Sequence, residues 1–192
     1  MNVVGILLAA GSGSRFGSNK LLHALPHGVS MSVQAARNLK SVLPRVIAVL
    51  RPGADETARV LAEAGCEIHF CRNAAEGMGA SLACAVKATP EAEGWLVALA
   101  DMPFVRPTSI GAVRDALVAG ADLAAPYFRA RRGHPVGIGR RFRGHLEATS
   151  GDEGARKLLS EQEKCLVKVP VGDPGVVRDI DRPSDLAPPV IA

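Results

Sequence analysis

Short apolar runs alternate along this chain with longer segments in which apolar side chains recur every three or four positions. The short runs are typical of buried strands, and the longer segments are typical of amphipathic helices. Strands are therefore predicted at residues 3–8, 46–50, 68–71 and 95–100, with a fifth beginning at 123–125. Helices are predicted at residues 30–42, 55–64, 80–88 and 108–118, and Ser30 or Ser32 is the expected N-cap of the first.

This alternation of strand and helix predicts the class of fold. Strands and helices that follow one another at short intervals form a mostly parallel sheet with helices on both faces. At 192 residues the chain is long enough for one substantial core and short for two. The prediction is therefore a single α/β domain, a Rossmann-like three-layer sandwich with a mostly parallel sheet.

The pattern is less regular after residue 128. Helices are predicted at 140–148 and 153–161, the second with Asp152 as its N-cap. Strands are predicted at 166–169 and 176–180, followed by a final turn at 183–186, and the stretch 133–139 is punctuated by glycines. We expect these residues to complete the same domain rather than to form a second one.

The first apolar run ends abruptly in small residues and two cations. Five residues with little or no side chain, at 9–13, leave backbone N–H groups open to a polyphosphate, and Arg15 and Lys20 add positive charge. The spacing G-x-G-x-x-x-G differs by one residue from the dinucleotide fingerprint, and no glycine precedes Lys20 as in a Walker A loop. The residues alone leave open a phosphate loop of a third kind or an ordinary turn with solvated cations.

Composition narrows the classes of ligand. The net charge of +4 permits a polyanionic partner, but the single Trp and single Tyr argue against a groove in which nucleic-acid bases stack on aromatic rings. A small phosphorylated ligand is therefore favoured over DNA or RNA.

The four cysteines show neither a C-x-x-C pair nor zinc-type spacing, so we expect reduced thiols. Without a signal peptide or a membrane-length apolar run, a cytoplasmic protein is expected.

Two acidic stretches could place magnesium, which prefers carboxylate and phosphate oxygens. Asp101 follows the predicted strand 95–100 in the string LADMP, at the kind of strand end where ligands of parallel sheets collect. The second stretch is DIDRPSD, in which either Asp179 or Asp181 could meet Asp101 across a cleft. Asp181 could equally be the N-cap of the final turn, and Asp101 could cap its own loop.

The order of motifs along the chain resembles a known enzyme family. The strings LAAGSGSRFGSNK, RNAAEGM, LADMP, GHP, GDEGAR and DIDRPSDL occur in the order seen in nucleotidyltransferases that activate small phosphorylated molecules with a nucleoside triphosphate. Among these enzymes, the sequence most resembles the molybdenum cofactor cytidylyltransferases of the MobA-like NTP transferase family. The resemblance implies the nucleotide-diphospho-sugar transferase type of sandwich, with a nucleotide-binding half at about 1–128 and an acceptor-binding half at about 129–192.

The resemblance also implies a reaction. CMP would pass from CTP to the phosphate of molybdenum-bound molybdopterin, with Mg²⁺ as cofactor, releasing pyrophosphate and forming molybdopterin cytosine dinucleotide. LAAG in place of LAGG, Asn19 before Lys20, and EGMGASL look cytidylyl-like, which puts CTP ahead of GTP. The alternatives are a non-catalytic chaperone that carries the cofactor to a xanthine dehydrogenase-type molybdoenzyme, and a nucleotidyltransferase specific for GTP or a sugar phosphate. The molybdoenzyme or its chaperone would then be a protein partner.

Carried over onto matching positions, the resemblance assigns roles to individual residues. The catalytic residues would be Arg15, Lys20 and Asp101; the metal ligands would be Asp101 with Asp179 or Asp181; and the acceptor-binding residues would be His134 and Asp152. The nucleotide-binding residues would be Leu8, Ala9, Ala10, Gly11, Gly13, Ser14, Arg15, Lys20, Asn73, Gly77 and Ser81. Without the resemblance, residues 72–82 would be a helix entry with glycine caps, and His134 would be structural. The cationic cluster Arg129, Arg131 and Arg132 would then be either solvated or turned toward the acceptor.

Overall fold

Eight strands of one sheet run through the computed structural model, which describes residues 1–11, 19–151 and 154–186. The strands are β1 Val3–Leu8, β2 Val46–Leu50, β3 Glu67–Phe70, β4 Gly94–Leu99, β5 Leu123–Phe128, β6 Arg131–Arg132, β7 Val136–Gly139 and β8 Leu166–Pro170. Their order is β3-β2-β1-β4-β7-β5-β6, and β8 pairs with the other edge of β5. The predicted strands 3–8 and 46–50 are confirmed residue for residue.

Helices cover both faces of this sheet. They are α1 Met31–Lys40, α2 Asp55–Glu63, α3 Met78–Lys87, α4 Pro107–Val118, α5 Arg143–Glu147 and α6 Arg156–Glu161. One core contains Leu7 with side chains of α1, α2 and α4, and the opposite core contains Ile6 with side chains of α3, α5 and α6. Neighbouring residues of a strand point to opposite faces, so β1 contributes to both cores. The predicted single-domain, three-layer α/β sandwich is confirmed.

The direction of the strands determines where a ligand can bind. Strands β3, β2, β1 and β4 are neighbours and all pair in parallel, as do β5 and β8. Their carboxyl ends therefore meet at one edge of the sheet, where loops after parallel strands usually bind ligands. The chain segments after β1, β3 and β4 lie at this edge, and they carry the predicted nucleotide and metal residues.

Two antiparallel strands were missed by the sequence pattern. Strand β7 lies between β4 and β5 and is antiparallel to both, and β6 forms a hairpin with β5. In β7, a side chain added at Gly137 would come within 3.0–3.1 Å of Leu117 and Val113 of α4. The glycines that obscured the strand thus let α4 pack closely. Because β7 lies inside the sheet, residues before and after 128 share one core, and their division into two functional halves stays a prediction.

Other predicted bounds differ from the structure. Helix α3 begins at Met78, two residues before its predicted start, and α6 begins at Arg156 with Ala155 at the N-cap position. The prediction that Asp152 caps this helix is therefore wrong. Ser30 does occupy the N-cap position of α1, but its side chain makes no capping hydrogen bond.

The predicted strand at 176–180 is also wrong. Residues Pro174–Val177 form a 3-10 helix. The carboxylate of Asp173 caps this helix by accepting the N–H of Gly175 at 2.9 Å, and no neighbouring strand pairs with the segment among the described residues. The final turn, Pro183–Leu186, is confirmed as a 3-10 helix. In the described part of the chain, no helix has the length and apolar character needed to cross a membrane.

Candidate active site

The ammonium of Lys20 lies between two carboxylates that come from distant parts of the sequence. Its Nζ atom donates to Oδ2 of Asp101 at 3.0 Å and to Oδ1 of Asp181 at 2.8 Å. Lys20 is 7% exposed, whereas the side chain of Asp181 remains half exposed. The structure thus brings together the predicted catalytic lysine, the predicted metal ligand Asp101 and one of the two candidates for the second carboxylate.

Lys20 is held in place by a short 3-10 helix, Lys20–Leu22, at the start of the described range 19–151. The side-chain amide of Asn19, which precedes this helix, donates to Oγ1 of Thr57 on α2 at 3.2 Å. On the other side, Leu21 packs against the core beneath α1 and α2. The backbone that carries Lys20 is therefore fixed at two points, and the position of its Cα does not depend on the long side chain.

Asp101 is positioned by the end of β4. The backbone N–H of Ala100 donates to the carbonyl oxygen of Leu8 at 3.1 Å, which extends the pairing of β4 with β1 by one residue. Asp101 therefore follows directly from a fixed strand end at the carboxyl edge. Its Oδ2 atom binds Lys20, but its Oδ1 atom is buried and has no hydrogen-bond partner among the described residues. A buried, unpaired carboxylate oxygen costs free energy, and a ligand bound to it would remove that cost.

Asp181 reaches the site on the segment 173–181, which we call the C-terminal strap. The N–H of Ile180 donates to the carbonyl of Asp101 at 3.0 Å, and the carbonyl of Val176 accepts the N–H of His134 at 2.8 Å. Ile180 itself is fully buried. The strap is thus joined by backbone hydrogen bonds to the loop after β4 and to the segment before β7, and these bonds set the position of Asp181.

Asp185 performs the capping role that the sequence left open for Asp181. Its carboxylate accepts the N–H of Asp181 at 3.0 Å and the N–H of Arg182 at 2.7 Å. These hydrogen bonds lower the pKa of Asp185 below its ordinary value. The side chain of Asp181 points instead to Lys20.

The two carboxylates keep Lys20 charged. Burial by itself disfavours the ammonium form, but the hydrogen bond that Lys20 donates to Asp181 and the charge of Asp101 outweigh it, so the pKa of Lys20 is raised above its ordinary value. The site therefore places a charged ammonium between two carboxylate side chains. It is suited to binding cations and phosphate groups together.

Four predicted residues of the phosphate loop are described. Leu8 ends β1, and Ala9 is buried with its N–H donated to the carbonyl of Val49 at 2.9 Å. The amide of Ala9 is therefore used within the sheet and is not available to a phosphate. Ala10 is half-buried and Gly11 is exposed, with open space where a side chain would lie. The predicted residues Gly13, Ser14 and Arg15 lie outside the described residues, and their roles stay predictions.

The predicted nucleoside segment follows β3. Asn73 accepts a hydrogen bond from the thiol of Cys71 at 3.1 Å, and its amide approaches the carboxylate of Glu76 at 3.4 Å. Gly77 has a φ of 123°, which favours glycine, and α3 begins at the next residue. Ser81 is only 2% exposed on α3 and offers little surface to a ligand.

The order of strands gives the distance between this segment and the end of β1. Strand β3 is two positions away from β1 in the sheet, a lateral distance of about 10 Å. The chain therefore leaves β3 about this far from the point where it leaves β1. Binding of a base by Asn73 and Gly77 stays a prediction.

His134 is predicted to bind the acceptor, and Asp179 is a candidate metal ligand. Burial lowers the pKa of His134 below its ordinary value, while a hydrogen bond with the backbone of Val97 and the charges of Asp101 and Asp179 oppose this shift. The Nδ1 atom of His134 is buried and has no partner among the residues that the structure describes. Asp179 is exposed, and its charge acts on His134, whereas Lys20 binds Asp181. Asp152, the other predicted acceptor residue, lies outside the described residues.

The predicted cationic cluster lies on the β5–β6 hairpin. Its turn residues Arg129 and Ala130 have φ values of 45° and 63°, in the left-handed region that non-glycine residues seldom adopt. In the hairpin, Arg132 is paired with Tyr127 and Arg131 with Phe128, so the two arginines point to opposite faces of the sheet. The charge of Arg132 acts on His134, the residue predicted to bind the acceptor.

Sequence reasoning missed the residue that anchors the strap. Asp173 is 3% exposed and accepts hydrogen bonds from the N–H of Arg106 and from the hydroxyl of Ser109, both at 2.8 Å, as well as from Gly175. It therefore joins the start of α4 to the start of the strap. The string Asp-Pro-Gly at 173–175 carried a signal, since Asp before Pro commonly caps a turn or helix.

Glycines at two contacts bring the strap close to its neighbours. A Cβ added at Gly175 would lie 2.1 Å from the carbonyl oxygen of Phe104, and one added at Gly133 would lie 2.2 Å from that of Val176. No larger residue fits at either position without moving the backbone. Sequence alone showed two glycines, but not the contacts that require them.

The described residues contain no cluster of three or more His, Cys, Asp or Glu side chains arranged to hold a metal. Asp101 and Asp181 form a smaller acidic pair. Oδ2 of Asp101 and Oδ1 of Asp181 are at most about 6 Å apart, because both bind the same Nζ atom.

The four cysteines are free thiols: Cys66 and Cys71 are buried, Cys84 is half-buried and Cys165 is exposed.

Comparison with known proteins places this geometry in a family. The model described as the MobA-like NTP transferase domain matches residues 5–165. Purine catabolism protein PucB of Bacillus subtilis is 28% identical over 95% of this chain and 93% of its own length. Nicotine blue oxidoreductase of Paenarthrobacter nicotinovorans is 31% identical over 93% of this chain and 92% of its own.

A solved structure agrees with the fold. The structure of a nucleotidyl transferase from Methanothermobacter thermautotroptrophicus has a TM-score of 0.81 and 21% identity, and the match covers 96% of this chain and 94% of that one. The family match begins within β1, ends at residue 165 just before β8, and includes both Lys20 and Asp101. This chain therefore belongs to the family of MobA-like NTP transferase domains.

Proposed function

We propose that this protein is a magnesium-dependent cytidylyltransferase that transfers CMP from CTP to the phosphate of molybdenum-bound molybdopterin. The products are molybdopterin cytosine dinucleotide and pyrophosphate. The observation that carries the proposal is the contact of Lys20 with both Asp101 and Asp181 at the carboxyl edge of the sheet. Family membership supports a nucleotidyl transfer, and the motif resemblance of the sequence supports the choice of CTP and acceptor.

The residues present fit a magnesium ion. Asp101 has a buried Oδ1 atom without a partner among the described residues, and Asp181 is close enough to share a cation with it. Carboxylate oxygens together with phosphate oxygens and waters are the ligands that Mg²⁺ prefers. Asp101 and Asp181 would hold the ion, which when bound neutralises part of the charge of the triphosphate.

The residues of the chain position the reacting groups. Lys20 would bind the phosphates of CTP, with Arg15 as a second cation from the loop after β1. The acceptor is a phosphate monoester that is largely dianionic at neutral pH, because its second pKa is about 6, so it attacks without a general base. A bond forms between the acceptor oxygen and the α-phosphorus, the bond to the bridging oxygen breaks, and pyrophosphate leaves with the electron pair. Positioning and electrostatic stabilisation dominate such reactions.

The two sides of the site would bind the two substrates. The loop after β3, with Asn73 and Gly77, lies on the side proposed for cytosine and ribose. His134 and Arg132 are proposed to lie on the side that binds the acceptor, and Asp152, outside the described residues, is proposed as a further acceptor residue. The raised pKa of Lys20 supports its role because it keeps the phosphate-binding cation charged throughout the neutral range.

A pyrophosphate-release assay tests the proposal. The wild type is supplied with molybdenum cofactor, Mg²⁺ and each of CTP, GTP, ATP and UTP. We expect release with CTP, and loss of release in Lys20→Ala and Asp101→Ala. Lys87→Ala, at the exposed end of α3 on the opposite edge of the sheet, is the matched control and should retain activity. Undiminished release in both site variants would overturn the assignment.

A carrier protein without catalysis is the second candidate, since the fold could bind the cofactor without transferring a nucleotide. It predicts tight cofactor binding and no pyrophosphate with any of the four nucleotides. One relative carries an oxidoreductase name, which describes that protein. The buried lysine and its two carboxylates favour nucleotidyl transfer for this chain, because such a group of charges serves phosphate and metal binding.

A further inference from the structure

Lys20 has two roles that compete for the same contacts. In the proposed function, Lys20 binds phosphates while Asp101 and Asp181 bind a metal ion. In the structure the three side chains bind one another instead, at 3.0 Å and 2.8 Å. The carboxylates cannot give the same lone pairs to an ammonium and to a metal, so the two arrangements exclude each other in part.

We propose that Lys20 is an internal counter-ion that blocks the metal site until a triphosphate draws its ammonium away. The protein would then bind the metal together with the nucleotide and would bind the free metal poorly. This inference rests on the proposed function, because it assumes that Asp101 and Asp181 are the metal ligands.

The physical reason is the cost of a displaced ammonium. Lys20 is almost fully buried, so its charge needs a partner wherever it lies. A free metal ion that takes the carboxylates leaves this ammonium without compensation and adds positive charge beside it. A triphosphate removes both costs, because its oxygens accept the hydrogen bonds that Lys20 gives up.

The structure also indicates which group moves. Asp101 follows β4 directly, and the backbone of Asp181 is fixed through Ile180 and through the carboxylate of Asp185. The ammonium of Lys20, by contrast, ends a flexible four-carbon stem whose base is held by the 3-10 helix. The carboxylates are thus the fixed part of the site, and the ammonium is the part that can be transferred.

The unpaired Oδ1 atom of Asp101 is a carboxylate oxygen that Lys20 does not occupy. It is buried and has no partner among the described residues, while Oδ2 of the same carboxylate binds Lys20. Since Oδ1 accepts no hydrogen bond from Lys20, a cation that reaches this oxygen does not compete with the ammonium for it. The transfer of partners can occur in steps and does not require all contacts to break at once.

The test is the binding of Mn²⁺ alone, without nucleotide or acceptor. Mn²⁺ shares the oxygen ligands of Mg²⁺, and the loss of its free-ion signal in electron paramagnetic resonance measures binding. We expect Lys20→Met to bind Mn²⁺ about ten- to a hundredfold more tightly than the wild type, the range given by one to two charge-assisted hydrogen bonds. Lys20→Gln serves the same comparison if Lys20→Met does not fold.

Three further variants decide the cause of any gain. Lys20→Arg keeps the charge and should bind Mn²⁺ as weakly as the wild type. Lys87→Met removes the charge of an exposed lysine at the end of α3, and its affinity for Mn²⁺ should also match that of the wild type. The double variant Lys20→Met with Asp101→Asn should lose the gain. Equal affinity in wild type and Lys20→Met, tight binding by Lys20→Arg, or a gain that survives in the double variant would each overturn the proposal.

The results can reject the counter-ion role of Lys20 without rejecting the proposed reaction, and the reverse. Pyrophosphate release by the wild type without any gain in Lys20→Met would reject the counter-ion role and leave the transferase in place. A gain in Lys20→Met without pyrophosphate release from any nucleotide would support the counter-ion role and reject the proposed reaction.

Discussion

The backbone N–H of Ile180 donates to the carbonyl of Asp101, at 3.0 Å. This one bond joins the C-terminal strap to the loop after β4 at the residue next to Asp181. Because both ends of the bond are backbone atoms, it holds Asp181 near Asp101 whatever the side chains do. The second carboxylate of the site is therefore supplied by the strap, and its position depends on how the strap packs.

Asp181 and Asp179 are expected to differ in their effect on activity. Asp181 binds Lys20, whereas Asp179 is exposed and its charge acts on His134. We predict that Asp181→Asn lowers kcat/KM by about a hundredfold, the usual effect of removing one preorganised electrostatic contact. Asp179→Asn should lower it by less than about tenfold. Initial rates of pyrophosphate release measure both, and a larger loss in Asp179→Asn would reverse the assignment.

The close contact of Gly175 predicts a loss of stability on substitution. A Cβ there would lie 2.1 Å from the carbonyl oxygen of Phe104, so Gly175→Ala must move the strap. We expect a destabilisation of about 2 to 3 kcal/mol and a lower melting temperature, together with reduced activity as Asp181 shifts.

Gly111→Ala is the matched control for this substitution. Gly111 lies in α4 with nothing within 4 Å of an added Cβ, so alanine should raise stability by about 0.5 to 1 kcal/mol. Thermal unfolding of both variants checks the pair. Equal melting temperatures for Gly175→Ala and the wild type would show that the strap tolerates displacement.

The lowered pKa of His134 predicts a pH dependence of stability. Burial favours the neutral ring in the folded protein, so below about pH 6.5 the unfolded chain binds a proton that the folded chain does not. Stability should therefore be complete above pH 6.5 and fall as the pH drops toward the lowered pKa, by at most about 1.4 kcal/mol per pH unit.

Denaturant unfolding between pH 5 and pH 7.5 measures this slope. His134→Gln should reduce the slope, while His145→Gln, at an exposed position on α5, should leave it unchanged. A slope that is the same in wild type and His134→Gln would contradict the assignment to His134.

The opposite orientations of Arg131 and Arg132 give a test of the acceptor side. Arg132 shares a sheet face with Tyr127, and its charge acts on His134, whereas Arg131 shares the other face with Phe128. We predict that Arg132→Ala raises the KM for the acceptor about tenfold, because it removes a charge-assisted contact to a dianionic phosphate. The KM for CTP should change little.

Arg131→Ala is the control, since it removes the same charge from the same hairpin. It should leave the KM for the acceptor within about twofold of the wild type. Steady-state kinetics with each substrate varied in turn measure both constants. Equal effects of the two variants would indicate a general electrostatic influence and not a contact made by Arg132.

Much of the site followed from the local pattern of the chain. The apolar runs placed β1, β2 and β4, and the small residues after β1 and the acid after β4 were recognised beside them. Parallel strands bring such loops to one edge, so a shared site for Lys20 and Asp101 could be predicted from sequence. The contact at 3.0 Å agrees with that expectation.

The errors came from segments whose conformation depends on distant partners. Residues 176–180 have the composition of a strand, but Asp173 and the contact of Gly175 with Phe104 place them in a strap. The glycines of β7 hid a central strand, since their absence of side chains serves packing against α4 and gives no periodic signal.

The sequence by itself determined the sandwich and the order of its main elements, and it predicted which residues bind phosphate and metal, because periodicity and chemical type are properties of neighbouring residues. The tertiary structure decided that Asp181 and not Asp179 meets Lys20, that Ala9 donates its N–H to the sheet, and that Asp185 caps the last turn. Each of these depends on a hydrogen bond that a competing partner could have taken. The folded backbone decides which partner forms the hydrogen bond, because folding fixes the distances between donors and acceptors.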